Sequence, residues 1–300
     1  MRLLWIQPGA IGDFIVAMPC MAWVKETLKP EWFEVWAEAR NVPLVLAPGY
    51  ANHAIALADT GIERYPVPEA FFERLRDFDL VLSCWGAIAA DLTRRHPNAY
   101  FLKSLPPDGN VHVQDFKKSQ LENLLGCMAD FQPYPKIHWT PQDLCSAKEF
   151  LVSDQGRPIA VIHPGASSGE KMWPAANYAA LAVRLTEERQ MRVLLAEGPL
   201  DRYAAHEVRR LAAAGPGRFD LQRLQIDNLR ELSAVLSLCN LYVGNDSGIT
   251  HLASASGTQV VAIFTVTNPR VWAPRGPKVQ VCVNPTVDEV WEKLVSPQNS

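Results

Sequence analysis

Three short segments of this chain combine glycine, a carboxylate and groups able to hold an anion. The first is Gln7-Pro8-Gly9-Ala10-Ile11-Gly12-Asp13-Phe14. Its glycines let the backbone turn sharply and approach a ligand, and Asp13 lands at or near a helix start. A carboxylate there serves equally as a cap for free N–H groups or as a general base, which takes a proton from a reacting hydroxyl. The second is His163-Pro164-Gly165-Ala166-Ser167-Ser168-Gly169-Glu170-Lys171-Met172-Trp173-Pro174. Small residues with exposed amides form a concave anion site, and Lys171 adds a point charge suited to a phosphate. The third is Gly244-Asn245-Asp246-Ser247-Gly248-Ile249-Thr250-His251, which opens a helix rich in small residues. The amides at such a helix start are a ready anion site.

Other chemistries fit less well. A dinucleotide-binding turn needs G-x-G-x-x-G and an acidic residue after the second strand. Glu38 could supply the latter, but the glycines at 9 and 12 are spaced G-x-x-G, and Asp13 would oppose a pyrophosphate. Neither a Walker loop nor a G-x-S-x-G nucleophile elbow occurs. No metal site stands out: His163, His206 and His251 lack partners at ligand spacing, and there is no D-x-D motif.

The elements that must position these turns alternate along the whole chain. Leu3–Gln7, Phe33–Ala37 and Leu80–Cys84 read as strands, with helices over Asp13–Leu28, Glu69–Arg76, Gly86–Arg94 and Val113–Leu125. Three prolines within Phe131–Pro141 mark a linker. The alternation then resumes with strands at Ile159–His163, Arg192–Ala196, Leu241–Gly244 and Gln259–Phe264. Helices are expected over Asn177–Glu188, Asp201–Ala213 and Gly248–Ser256, with capping boxes at Asn228/Glu231 and Thr286/Glu289. Two such series around a proline-rich joint imply an α/β protein of two Rossmann-like domains, their parallel sheets facing across a cleft. In such sheets ligands bind beyond the carboxyl ends of the strands, which is where all three turns lie.

The bulk composition agrees. Three hundred residues, 48% hydrophobic and 20% charged, suit two folded domains. A formal charge of −3 argues against a nucleic-acid partner. The cysteines (Cys20, Cys84, Cys127, Cys145, Cys239, Cys282) form no CxxC pair, and most sit in apolar stretches, as expected of buried reduced thiols in the cytoplasm. No signal peptide is visible, and no apolar run reaches the ~20 residues of a membrane span.

With the three turns in view, the chain resembles glycosyltransferase family 9, the heptosyltransferases of the lipopolysaccharide inner core. The matching elements are Gly12-Asp13 with Pro19, the His163–Ser167 stretch with Lys171-Trp173-Pro174, and Asn245-Asp246-Ser247-Gly248 with His251-Leu252-Ala253, in family order. The resemblance implies a GT-B fold with an acceptor-binding domain over 1–140 and a nucleotide-sugar domain over 141–282. A terminal segment over 283–300 would pack back on the first domain. It implies inverting transfer without metal or cofactor, from an ADP-heptose-like donor to a lipopolysaccharide-core or other lipid-linked glycan, on the cytoplasmic face of the inner membrane. By position, Asp13 resembles the catalytic base, Gly12 belongs to the acceptor-side turn, and Lys171 resembles the lysine on the donor phosphate. His163, Ser167, Asp246, Ser247, Gly248 and His251 resemble the remaining donor loop, and Asp201 an acidic residue near the ribose. The family's Phe-Gly-Pro-Thr-Asp-Pro is here Phe264-Thr265-Val266-Thr267-Asn268-Pro269. That departure motivates a second expectation, a nucleotide-sugar-binding protein without transferase activity. A nucleotide-sugar epimerase on a similar architecture is a third.

Overall fold

A computed structural model describes residues 1–46, 50–62, 67–126, 130–152, 156–199, 201–215, 219 and 221–295. The chain forms two compact units, Met1–Thr140 and Pro141–Ser300. Cys127 and the end of the 283–300 segment lie outside the described residues.

The first unit runs β1 (Arg2–Gln7), α1 (Ile11–Leu28), β2 (Trp32–Ala37), α2 (Val42–Val45), β3 (His53–Ala56), α3 (Glu69–Leu75), β4 (Leu80–Ser83), α4 (Ala89–Arg95), β5 (Ala99–Phe101) and α5 (Val113–Leu125). Its five strands are all parallel, in the order β3-β2-β1-β4-β5. Central β1 is an unbroken apolar run because both of its faces are covered, and Leu3, Leu4, Trp5 and Ile6 are fully buried. Every side chain from Phe14 to Met21 on α1 is likewise buried, since α1 also packs against α5.

The second unit runs α6 (Pro141–Leu151), β6 (Ile159–His163), α7 (Ala175–Arg189), β7 (Arg192–Ala196), α8 (Arg202–Ala214), β8 (Gln222–Leu224), α9 (Leu229–Ser237), β9 (Leu241–Asn245), α10 (Gly248–Ala255), β10 (Gln259–Phe264), α11 (Pro269–Trp272), β11 (Val279–Val283) and α12 (Val287–Val295). Its six parallel strands lie in the order β11-β10-β9-β6-β7-β8. Strand order reverses direction beside β6 and β9, so the loops after these two strands flank the switch point where ligands of such sheets bind.

Of the two expected capping boxes, the reciprocal pair forms at Thr286/Glu289, while at Asn228 the side-chain cap alone is seen. Asn228 Oδ1 accepts from the amides of Arg230 and Glu231, while Glu289 Oε2 accepts from the Thr286 amide at 2.7 Å. Three readings need correction. The first helix begins at Ile11, two residues before the expected start, so Gly12 is helical and Asp13 is its third residue, near the cap as expected. The described part of the terminal segment belongs to the second unit: α12 packs on α7, β10 and β11, and Val290 and Leu294 enter that unit's core. Among the cysteines, Cys20, Cys84, Cys239 and Cys282 are buried but Cys145 is exposed. Burial pushes the Cys20 and Cys239 thiols up to about 12, which keeps them protonated. Among the described residues, no helix is long and apolar enough to cross a membrane.

The first unit's aromatic core converges on Trp36, which is fully buried. Its ring meets Phe71 and Phe78 edge-on at 5.5 and 6.1 Å, and its Nε1 donates to Glu34 at 2.7 Å. Trp36→Ala is expected to cost ~3–5 kcal/mol through the cavity it leaves. Urea unfolding followed by circular dichroism measures this, and a loss below ~1 kcal/mol would mean that the site collapses freely.

Candidate functional site

In the first unit the β1–α1 turn presents Asp13 half-buried in the opening turn of α1. Its Oδ2 accepts from the Ala10 amide at 3.0 Å, a donor that the helix itself leaves unsatisfied. Gly9 has φ +106°, and any Cβ there would lie 3.0 Å from that same oxygen. Glycine is therefore needed twice over, for the backbone angle and for room beside the carboxylate. Fully buried Asn41 steadies the turn through a weak bond from its Nδ2 to the Gly9 carbonyl at 3.4 Å. The cap is one hydrogen bond to a carboxylate that has about four lone-pair sites, so capping the helix does not in itself bar the group from general-base chemistry.

In the second unit the candidate residues gather at the carboxyl ends of β6 and β9. Lys171 Nζ reaches Asp246 Oδ2 at 3.0 Å, across 75 residues of sequence. Asp246 is held from two further directions, by the Thr267 hydroxyl at 2.6 Å and through its own amide to the Ile263 carbonyl. Ser247 caps α10, its Oγ accepting from the Thr250 amide. It also lies 3.4 Å from Nδ1 of His163, whose Nε2 is 3.0 Å from Asp201 Oδ2. Burial pushes the Asp201 carboxyl up, but the His163 bond and the Gly198 amide outweigh it and hold the group below the usual carboxylate range. Gly248 lies in the first turn of α10, where backbone amides lack helical partners. His251, one turn in, is buried. Ser167 is exposed on the loop.

The residue that the sequence places in the third turn without assigning it a role is Asn245. It is fully buried, and its side chain is saturated. Oδ1 accepts from the Trp173 amide at 2.9 Å and the Tyr178 hydroxyl at 2.8 Å; Nδ2 donates to the Pro164 carbonyl at 2.8 Å and to Gly165 at 3.3 Å. One amide thus ties the end of β9 to both ends of the Lys171 loop and to α7. Asparagine at a strand end just before a helix looks like turn chemistry, so its long-range partners left no local signal. The altered Thr265–Asn268 segment is also built into the site. Thr267 bonds Asp246, Thr265 Oγ1 donates to the Glu170 carbonyl at 2.7 Å, and Asn268 caps α11.

Two parallel-sheet α/β units, one presenting a lysine and a capped helix start at its switch point, match the expected GT-B architecture. The family model for glycosyltransferase family 9 (heptosyltransferase) matches residues 109–293. The chain is 29% identical over 301 residues to lipooligosaccharide heptosyltransferase 2 of Haemophilus ducreyi, covering 91% of this chain and 86% of that protein. Its structure is similar to that of ADP-heptose lps heptosyltransferase II of E. coli, with a TM-score of 0.76 at 19% identity over 98% and 97% of the two chains. It is also similar to E. coli heptosyltransferase WaaC with ADP, with a TM-score of 0.71 at 17% identity over 98% and 99%. The chain belongs to glycosyltransferase family 9 and has its GT-B fold. Membership makes it a glycosyltransferase.

Removing the Asn245 side chain strands two buried acceptor carbonyls and two donors. Asn245→Ala is expected to lower stability by ~2–4 kcal/mol and to expose the 164–174 loop to protease. Limited proteolysis beside thermal unfolding reads both effects; a loop that stays protected in this variant would deny Asn245 its anchoring role.

Proposed function

We propose that this enzyme moves a heptose from an ADP-linked donor to a hydroxyl of a lipopolysaccharide-core acceptor, with inversion at the anomeric carbon. The observation that carries the reading is the convergence of Lys171, Asp246, Ser247 and His163 on the switch point of the second unit. The donor's diphosphate meets the first-turn amides of α10 and the Lys171 ammonium, with Gly248 allowing close approach. Asp246 keeps Lys171 extended over the site before the donor arrives, which lowers the ordering cost of binding. Lys171 has three donor hydrogens and its bond to Asp246 uses one, so two remain for phosphate oxygens.

The first unit binds the acceptor. Asp13 accepts the acceptor's hydroxyl proton as that oxygen attacks the anomeric carbon from the face opposite the diphosphate. A carboxylate is a weak base, with an ordinary pKa of ~3.9, so the proton moves late, when the sugar–oxygen bond is largely formed. Charge building on the departing diphosphate is stabilised by Lys171 and the α10 amides, so neither a metal nor a cofactor is required in this scheme. The chain works at the cytoplasmic face of the inner membrane as a peripheral protein.

Asp13→Asn preserves the Ala10 cap through its amide oxygen and removes the base. Turnover is expected to fall ~10²–10⁴-fold while ADP affinity stays within about twofold. Near-normal turnover would reduce Asp13 to a cap. Lys171→Ala is expected to weaken ADP binding ~10–100-fold, read by calorimetry. Unchanged affinity there would take the lysine out of the donor site.

A further inference from the structure

Lysine is seldom buried without an anion beside it. Lys117 on α5 is 2% exposed, and among the described residues it forms no ion pair, whereas its neighbour Lys118 pairs with Glu122. Its Nζ is directed instead at Cys84 Sγ, 3.0 Å away and 33 residues earlier in the chain. Cys84 is itself buried and directly follows β4, where its amide donates to the Ile6 carbonyl of β1 at 2.8 Å. Strand order reverses between β1 and β4, so the contact lies at the first unit's own switch point. An amine and a thiol are thus held in contact where ligands of such a sheet bind.

The surroundings decide what an oxidised Cys84 would react with. A sulfenic acid condenses with a second thiol or with a backbone nitrogen. The following amide, that of Trp85, already donates to Ser83 Oγ at 3.1 Å. Cys20, on α1, is the neighbouring thiol, but its Sγ donates to the Gln114 carbonyl at 3.8 Å. Burial pushes that thiol up to about 12, so it lacks the thiolate that attacks sulfur. Cys84 keeps 5% exposure where Cys20 has none, so a small oxidant meets Cys84 first. The nucleophile in contact with its sulfur is then Lys117 Nζ.

We infer that Lys117 and Cys84 are a modification site, at which hydrogen peroxide produces a sulfur–nitrogen crosslink that fastens α5 to the end of β4. In the first step the Cys84 sulfur attacks one peroxide oxygen. The O–O bond breaks, sulfur gives up two electrons and becomes a sulfenic acid, and the second oxygen leaves as water. In the next step the Lys117 nitrogen, as the amine, attacks that sulfur. The S–N bond forms, the S–O bond breaks, and the hydroxyl departs with one amine hydrogen as a second water. No electrons are exchanged with an outside reagent in this step. A small thiol reverses the link: it attacks the sulfur and frees the amine, and a second thiol then releases Cys84 from the mixed disulfide. While it lasts, the bond closes a loop of 33 residues and restricts the unfolded chain as a disulfide does.

The test is made on the full chain, treated with hydrogen peroxide, digested without reductant and mapped by mass spectrometry. The expected product is a pair of peptides joined through Lys117 and Cys84, lighter than the two together by two hydrogens and parted by dithiothreitol. It should be missing from Lys117→Met and from Cys84→Ser. Because the link is read in the wild type, the result stands even where a variant fails to fold. A Cys84–Cys20 disulfide, a Cys84 sulfinic acid beside unmodified Lys117, or an untouched Cys84 would each overturn the proposal. The crosslinked wild type should also melt about 5 °C above its dithiothreitol-treated form. A crosslinked protein that melts no higher would show that the bond does not fasten α5.

Discussion

The side-chain amide of Asn245 is the point on which the second unit's chemistry rests. A buried amide is costly unless all its hydrogen-bonding groups are met. Here Trp173, Tyr178, Pro164 and Gly165 meet them at 2.8–3.3 Å, and every one of those partners belongs to the loop carrying Lys171 or to the helix that follows it. The constraint works in both directions. Asn245 cannot be buried without the loop, and the loop has no comparable anchor without Asn245. Trp173 closes the arrangement from the far side, its Nε1 donating to the Pro285 carbonyl at 2.8 Å.

On that anchored frame the charges are arranged in local pairs. Lys171 meets Asp246, Asp201 meets His163, and Glu197, whose side chain is 1% exposed, meets Arg209 and Arg223. Burial pushes the Glu197 carboxyl up, yet the two guanidiniums hold it below its ordinary value. Pairing of this kind stabilises little in itself, because desolvation offsets much of the attraction. Its effect is on geometry: each group that faces a ligand is held at a known angle before the ligand arrives. Preorganised donors of this sort stabilise charge that develops during reaction without having to reorient at that moment.

The first unit solves a smaller problem with local means. Asp13 accepts from a backbone amide three residues earlier, and the Gly9 angle makes room for it. Because this contact is local, its residues stand together in the sequence. The turn could be singled out there, and the structure fixed Asp13 as the third helical residue, bonded back to the cap amide.

The sequence by itself determined the alternation of strand and helix, the parallel central strands and the three turns that hold the candidate site. These are written in hydrophobic period, in caps such as Asn228 and Thr286, and in glycine and proline placement, which act within a few residues. It did not disclose α6, or the short edge strands β3, β5, β8 and β11, which bury too little to carry a strong pattern. Nor did it disclose that α12 packs into the second unit's core, since an amphipathic helix states that it has a partner and not which one. Only the tertiary structure decided that Lys171 meets Asp246, that Asn245 holds the loop, and that Gly165 is vacant to seat Asp201 beside His163. These contacts join residues 36 to 81 positions apart. Hydrogen bonds and steric exclusion depend on separation in space, and the sheet sets that separation by laying β9 beside β6 and β6 beside β7.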